Sequence, residues 1–247
     1  MAQLAVRLSD VNESGEATRV TYGVLNLTHR DGSAEPQPLV PGQTYRVQVP
    51  LNGIAQPFPA GHRLRLSVST SYWPLIWPAP EAATVTLTTG SSSLRLPVRP
   101  RRDEDRHLHE FGEPEAAEPL EVTDVSPGEH SWRGTRDLAT NECVSEVVND
   151  QGEFVIEETG SRVCRATNEW YSFRWNDVNS VRGETSTVRR VEREDWGALV
   201  TTRTILTSTP TDFVIDAQLD AHELDAERGD PREFSQSWAR RIPRGLV

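Results

Sequence analysis

A serine nucleophile needs small residues on either side of it, so that a strained strand-to-helix turn can present its hydroxyl; in sequence this reads Gly-x-Ser-x-Gly. No such string occurs in the 247 residues. The nearest, Gly90-Ser-Ser-Ser-Leu94, lacks the second glycine and lies between two predicted strands, so it reads as a hairpin loop. Six histidines leave a Ser/His/Asp site assembled from distant segments open on inventory alone. His62 follows Gly61 at the entry to a predicted strand, where its ring is expected to brace the loop through backbone hydrogen bonds; His29 reads as a strand-end residue. His107-Leu-His109-Glu110, preceded by Asp103, Glu104 and Asp105, offers metal-ligand types, but a metal site needs fixed geometry and a second shell. A solvated charge run is the expectation there. Asp10-Val-Asn-Glu-Ser-Gly15 imitates the start of a calcium loop, yet the twelfth position falls on Thr21, where a bidentate carboxylate is required. It is expected to be a turn, and no catalytic, cofactor or metal residue is assigned.

The segment with a claim to contact another molecule is Tyr72-Trp-Pro-Leu-Ile-Trp-Pro78. Tyr72, Trp73, Ile76 and Trp77 are the candidate contact residues. The prolines keep the segment out of a central ladder, so it must be a loop. An aromatic loop on a free sandwich is also a candidate sugar-stacking platform.

Short strands must position these residues. Ala2–Leu8 and Thr18–Leu27 alternate apolar and polar residues, and so do Tyr45–Val49 and Leu64–Val68. That period of two marks half-buried strands, with Leu64, Leu66 and Val68 facing in and Arg63 and Arg65 facing out. Thr84–Thr88 and Leu94–Val98 complete a set that indicates a β-sandwich or jelly roll over residues 1–98. Residues 99–130 are dense in charge and proline and read as an extended connection. From Arg136 onward strands are predicted over Glu142–Val148, Glu153–Glu158, Arg162–Arg174, Thr185–Glu192, Leu199–Leu206, Phe213–Leu219 and Phe234–Arg240. They form an antiparallel β extension over 131–247 in which neighbours pair in sequence. Asp150-Gln151-Gly152 is the expected hairpin turn, and Ala221–Arg228 a helical turn or charged loop.

The blocks Arg7-Leu-Ser-Asp-Val-Asn-Glu-Ser-Gly15, Val20-Thr-Tyr-Gly-Val-Leu-Asn-Leu-Thr-His-Arg30, Pro41-Gly-Gln-Thr-Tyr-Arg-Val47 and Phe58-Pro-Ala-Gly-His-Arg-Leu-Arg-Leu-Ser-Val-Ser-Thr-Ser71 carry a resemblance. Together they resemble the C-terminal jelly-roll domain of the X-prolyl dipeptidyl aminopeptidase and cocaine esterase-like (CocE/NonD) serine hydrolases, over residues 2–98. The resemblance implies an all-β, galactose-binding-like sandwich that accompanies an α/β-hydrolase domain. The family's Ser-Asp-His triad lies upstream of the matched part, so no triad residue is carried onto this chain. It further implies a hydrolase-domain partner, in cis or in trans, acting on acyl esters or X-prolyl peptides. The Tyr72–Pro78 loop would then pack on that domain. The family pattern has a strand or two before Arg7-Leu-Ser-Asp, so Met1 is expected to be a truncated start with an unpaired edge. Rival readings are a stand-alone sandwich that binds carbohydrate or protein, and an interaction protein that docks to a separately encoded hydrolase.

Composition narrows the partners. The net charge is -11, and it is uneven: residues 1–100 hold 8 Arg and 6 acids, residues 101–247 hold 18 Arg and 31 acids, and no Lys occurs. Such an acidic surface disfavours nucleic acid and anionic membranes. Two cysteines, Cys143 and Cys164, exclude a disulfide framework and a four-cysteine zinc site; two buried free thiols are expected, the alternative being a pair facing each other on adjacent strands. With no signal-peptide pattern and no apolar span, the expectation is a cytoplasmic chain with no cofactor. A homodimer is left open.

Overall fold

Residues 1–194, 196–224 and 232–246 are described by a computed structural model. Its strands are β1 (Gln3–Val11), β2 (Ala17–Asn26), β3 (Arg63–Ser69), β4 (Val122–Ser126), β5 (Glu129–Arg136) and β6 (Glu142–Ile156). They continue as β7 (Ser161–Arg174), β8 (Asp177–Arg193), β9 (Trp196–Ser208), β10 (Asp212–Glu223) and β11 (Glu233–Pro243). The protein is all-β, with antiparallel sheets in a sandwich-like arrangement. The smaller sheet has the order β2-β1-β3. The larger is a meander, β11-β10-β9-β8-β7-β6-β4, with β5 also paired to β6.

The small sheet forms around β1 because both faces of that strand are apolar enough to bury. Leu4, Val6 and Leu8 point one way and Ala5 and Val11 the other, and all five are buried. On the first face Ala2, Leu4 and Leu27 form a cluster covered by Leu39, Val47, Val49, Val68, Ala83 and Val85. The second face carries the aromatic loop.

Three segments expected as strands, Tyr45–Val49, Thr84–Thr88 and Leu94–Val98, lie outside any ladder. Alternation governs which side chains face inward, and Val47, Val49 and Val85 do pack on the core, but it does not supply a pairing partner. Pro50, which has no N–H to donate, runs so close to β2 that a Cβ on Gly23 would stand 1.9 Å from its carbonyl oxygen. Two hydrogen bonds, from Asn52 N to Tyr22 O (3.0 Å) and from Thr21 Oγ1 to Asn52 O (2.8 Å), tie this segment to β2. The expected facing of β3 is also corrected. Val68 is half-buried, but Leu64 and Leu66 are 51 % and 46 % exposed. Leu66 sits opposite buried Leu8, so its face is the inward one; β3 is simply the sheet edge, and among the described residues nothing pairs with its outer side.

The large sheet starts earlier than expected, at Val122. Asp150-Gln151-Gly152 is not a hairpin turn: β6 runs through it as a 15-residue strand with a register break between Asp150 and Glu153. The Asp150 carboxylate accepts from Gly152 N at 2.8 Å, and Gly152 adopts φ +71°, as a bulge requires. Opposite the bulge the neighbouring chain also bends, at Pro127-Gly128, so β4 pairs with one half of β6 and β5 with the other. β10 extends through Glu223, while 225–228 of the predicted turn lies outside the described residues. Residues 99–121 hold one 3-10 turn, Asp103–His107, anchored by Arg99. Arg99 Nη1 donates to Asp105 at 2.8 Å; this pairing, with the backbone of Arg102, draws the Asp105 carboxyl down to about 2.

One face of the large sheet is polar and laced with ion pairs, such as Glu184 held between Arg203 (2.6 Å) and Arg182 (2.5 Å). The other face, bearing Tyr171, Gly183, Ser208 and Phe213, receives the aromatic loop carried by the small sheet.

Candidate functional site

Residues Tyr72–Pro80 form a layer between the two sheets. Gln3 on β1 donates its amide to the Trp77 carbonyl (3.0 Å), and the Arg7 guanidinium lies 4.9 Å from the Tyr72 ring centroid. Tyr72 meets Tyr22 of β2 edge-to-face at 5.7 Å and accepts a hydrogen bond from Arg19. These contacts fix the loop to the small sheet.

Its other side meets the large sheet through aromatic edges. Trp73 and Trp77 are T-stacked at 5.0 Å; Trp73 then meets Tyr171 of β7, and Trp77 meets Phe213 of β10, each at 5.9 Å. Such geometry sets the positive ring edge of one aromatic against the negative face of another. Trp77 Nε1 donates to Ser208 Oγ at 2.9 Å, whereas Trp73 Nε1 is buried without a partner. Tyr72, Trp73, Ile76 and Trp77 are thus brought together, each half-buried inside the chain, while Pro74 and Leu75 face outward. The C-terminal sheet of the same chain therefore covers much of the aromatic surface that the sequence reading gives to another domain. A shallow groove beside the loop, about 320 Å³, is lined by Trp73, Arg136, Cys143, Tyr171 and Phe173 among others.

Sequence reasoning missed the residue that locks this junction. Arg244 is 2 % exposed and lies 4.9 Å from the Phe213 centroid. It donates to Pro78 O (2.5 Å), Ser208 Oγ (3.3 Å) and Thr209 O (3.4 Å). Burial, with no paired carboxylate among the described residues, pushes its pKa down. Two residues on, the Leu246 carbonyl accepts from Asn26 Nδ2 (2.8 Å) and Thr28 Oγ1 (2.7 Å) at the end of β2. The end of the chain thus returns to its beginning. A terminal Arg in a polar stretch carries no periodicity, so no sequence signal marked it.

The remaining candidates stand apart from this junction. His62 does not brace its loop through backbone bonds to its ring. Its Nδ1 lies 2.9 Å from Asp10 Oδ1, joining the loop to the end of β1, because Asp10 projects toward it from a strand paired with β3. No serine or cysteine hydrogen-bonds the His62 ring among the described residues. The Asn12–Gly15 turn closes on itself, with Asn12 Oδ1 accepting from Glu16 N (2.9 Å) and Ser14 Oγ (2.7 Å). His107 and His109 are exposed, and no group of three metal-ligating side chains occurs among the described residues. Cys143 and Cys164 are free and half-buried rather than buried. Cys143 lies opposite Phe173 and Cys164 opposite Glu153, which puts the two thiols about 30 Å apart along the β6–β7 ladder. No helix among the described residues is long and apolar enough to cross a membrane.

The chain is thus an antiparallel all-β sandwich whose most elaborate constellation joins sheet to sheet. Residues 1–123 match the family model of the X-Pro dipeptidyl-peptidase C-terminal non-catalytic domain, and this half of the chain belongs to that family. The match runs past residue 98, through the charged connection and into β4. No curated protein and no solved structure matches the chain.

Proposed function

We propose that the chain is the accessory region of a serine hydrolase of the X-prolyl dipeptidyl-peptidase or acyl esterase (CocE/NonD) class, which supports an α/β-hydrolase domain and shapes one wall of its cleft. The observation that carries this reading is the family match over residues 1–123, in a stretch with no Gly-x-Ser-x-Gly elbow. In this reading residues 1–98 are the docking sandwich, 99–130 a connection, and 131–247 an extension that grips the aromatic loop from behind. Leu64 and Leu66 at the β3 edge support the docking role: they are 51 % and 46 % exposed, and neighbouring apolar side chains left at a surface mark contacts. The partner acts in cis or in trans, and neither a nucleic acid nor a membrane is part of the reading.

The test is activity and association together. Alone, the 247-residue chain is expected to hydrolyse neither p-nitrophenyl esters nor X-proline-nitroanilides, and a sugar-affinity screen is expected to be blank. Mixed with a dipeptidyl-peptidase catalytic domain of the same family, it is expected to bind, and Leu64→Glu/Leu66→Glu to weaken that binding at least several-fold. Ester turnover abolished by mutating one serine and one histidine of this chain would refute the accessory role. So would saturable sugar binding that is lost in Trp73→Ala.

A further inference from the structure

Arg244 carries a charge that its surroundings leave unanswered. It is 2 % exposed, and its three hydrogen bonds end on neutral oxygens, those of Pro78, Ser208 and Thr209. Its Nε–H is buried and has no acceptor among the described residues. Burial alone lowers its pKa, with no carboxylate near enough to oppose the shift. A charged group taken out of water is usually met by an opposite charge, because neutral dipoles replace only part of its hydration.

The same side chain lines a groove of about 250 Å³ where the aromatic loop meets both sheets. Val24 of β2, Ile76 and Trp77 of the loop and Phe213 of β10 give it apolar walls, and Arg244 is the only charged residue on it. Val24, 45 % exposed, stands at the open side. One guanidinium among aromatic and aliphatic walls suits one negative charge on an apolar body. A sugar would leave most of its hydroxyls without partners there, and a phosphate would bring more charge than one guanidinium answers. The volume admits a body of about one ring.

We propose that this groove is a binding site for a small apolar monocarboxylic acid, aromatic or short aliphatic, whose carboxylate is held by the buried guanidinium of Arg244 and whose body lies against Trp77, Ile76 and Phe213. The ligand supplies the negative charge that the chain itself does not place beside Arg244. Because Arg244 also ties the end of the chain to the loop at Pro78, the bound acid tightens the junction between the two sheets. The site does not rest on the accessory role, since Phe213 and Arg244 lie outside the family match.

The test is a calorimetric titration of the 247-residue chain with benzoate and with benzamide, its neutral isostere. Benzoate is expected to bind saturably with a Kd of about 1 mM or tighter, and benzamide at least tenfold more weakly. Arg244→Gln keeps hydrogen-bond donors but removes the charge, and is expected to weaken benzoate binding at least tenfold while leaving benzamide unaffected. Val24→Trp, at an exposed position that does not touch the guanidinium, fills the groove and is expected to weaken benzoate several-fold. Benzoate is also expected to raise the melting temperature of the unmodified chain, and benzamide to leave it unchanged. Equal binding of the two compounds overturns the proposal, because the charge would then play no part. Benzoate binding unchanged in both variants places the site elsewhere and overturns it too, as does the absence of saturable binding. If Arg244→Gln fails to fold, Val24→Trp and the contrast between benzoate and benzamide decide.

Discussion

Single residues in this protein are defined by what stands opposite them. Trp77 has one edge on Phe213, another against Trp73, and its indole N–H on Ser208. Full truncation of a buried Trp costs about 3–5 kcal/mol, and half-burial scales that to about 2 kcal/mol for Trp77→Ala. Trp77→Phe keeps the ring contacts and loses only the hydrogen bond, a cost of about 1 kcal/mol. Denaturant midpoints of the two variants are expected to fall in that order; equal midpoints would mean that the junction is not part of the folding unit. Arg244 fits the same rule. With no carboxylate beside it among the described residues, the buried guanidinium is held by three neutral oxygens and an aromatic face that replace its water. Candidate residues for an aromatic junction were legible from Tyr72 to Trp77, since two tryptophans bracketed by prolines stand out in any sequence. Their partners Tyr171, Ser208, Phe213 and Arg244 were not, because they lie 94 to 172 positions away and each looks ordinary within its own segment.

Elements are shaped by register. The break in β6 lets one 15-residue strand serve two short partners, and Gly152 is its pivot. A Cβ there would stand 2.3 Å from Ser126 O at a positive φ, so Gly152→Ala adds a steric clash to backbone strain. Gly160 also has positive φ, but with open space around it. Gly160→Ala is therefore expected to cost about 1 kcal/mol and Gly152→Ala clearly more, about 3 kcal/mol, in urea unfolding. If the two variants unfold alike, the bulge is not a packed feature. The same local chemistry explains why the sequence suggested a turn here: Asp-x-Gly with an aspartate bonding two residues ahead suits a hairpin and a bulge equally. Only the continuous pairing of β6 with β7 on its far side distinguishes them.

At the scale of the whole molecule, the chain is closed by its last residues. Leu246 bonds to the end of β2, and Arg244 bonds to the loop that lies between the sheets. A chain ending at Pro243 is expected to keep β6–β9 protected in hydrogen exchange while β1 and β2 exchange markedly faster, because the small sheet loses its tie to the large one. Unchanged exchange in β1 and β2 would show that the aromatic loop alone suffices. The all-β class, the sequential meander and the absence of a serine elbow were determined by the sequence itself, because they rest on local signals: a period of two, turn residues and a fixed five-residue string. The exposure of Leu64 and Leu66 and the missing ladders at 45–49, 84–88 and 94–98 were decided only by the tertiary structure. So was the turning of the aromatic loop onto its own C-terminal sheet. Alternation tells a side chain which way to point, but burial and pairing depend on what another part of the chain brings to that side, and no local pattern encodes it.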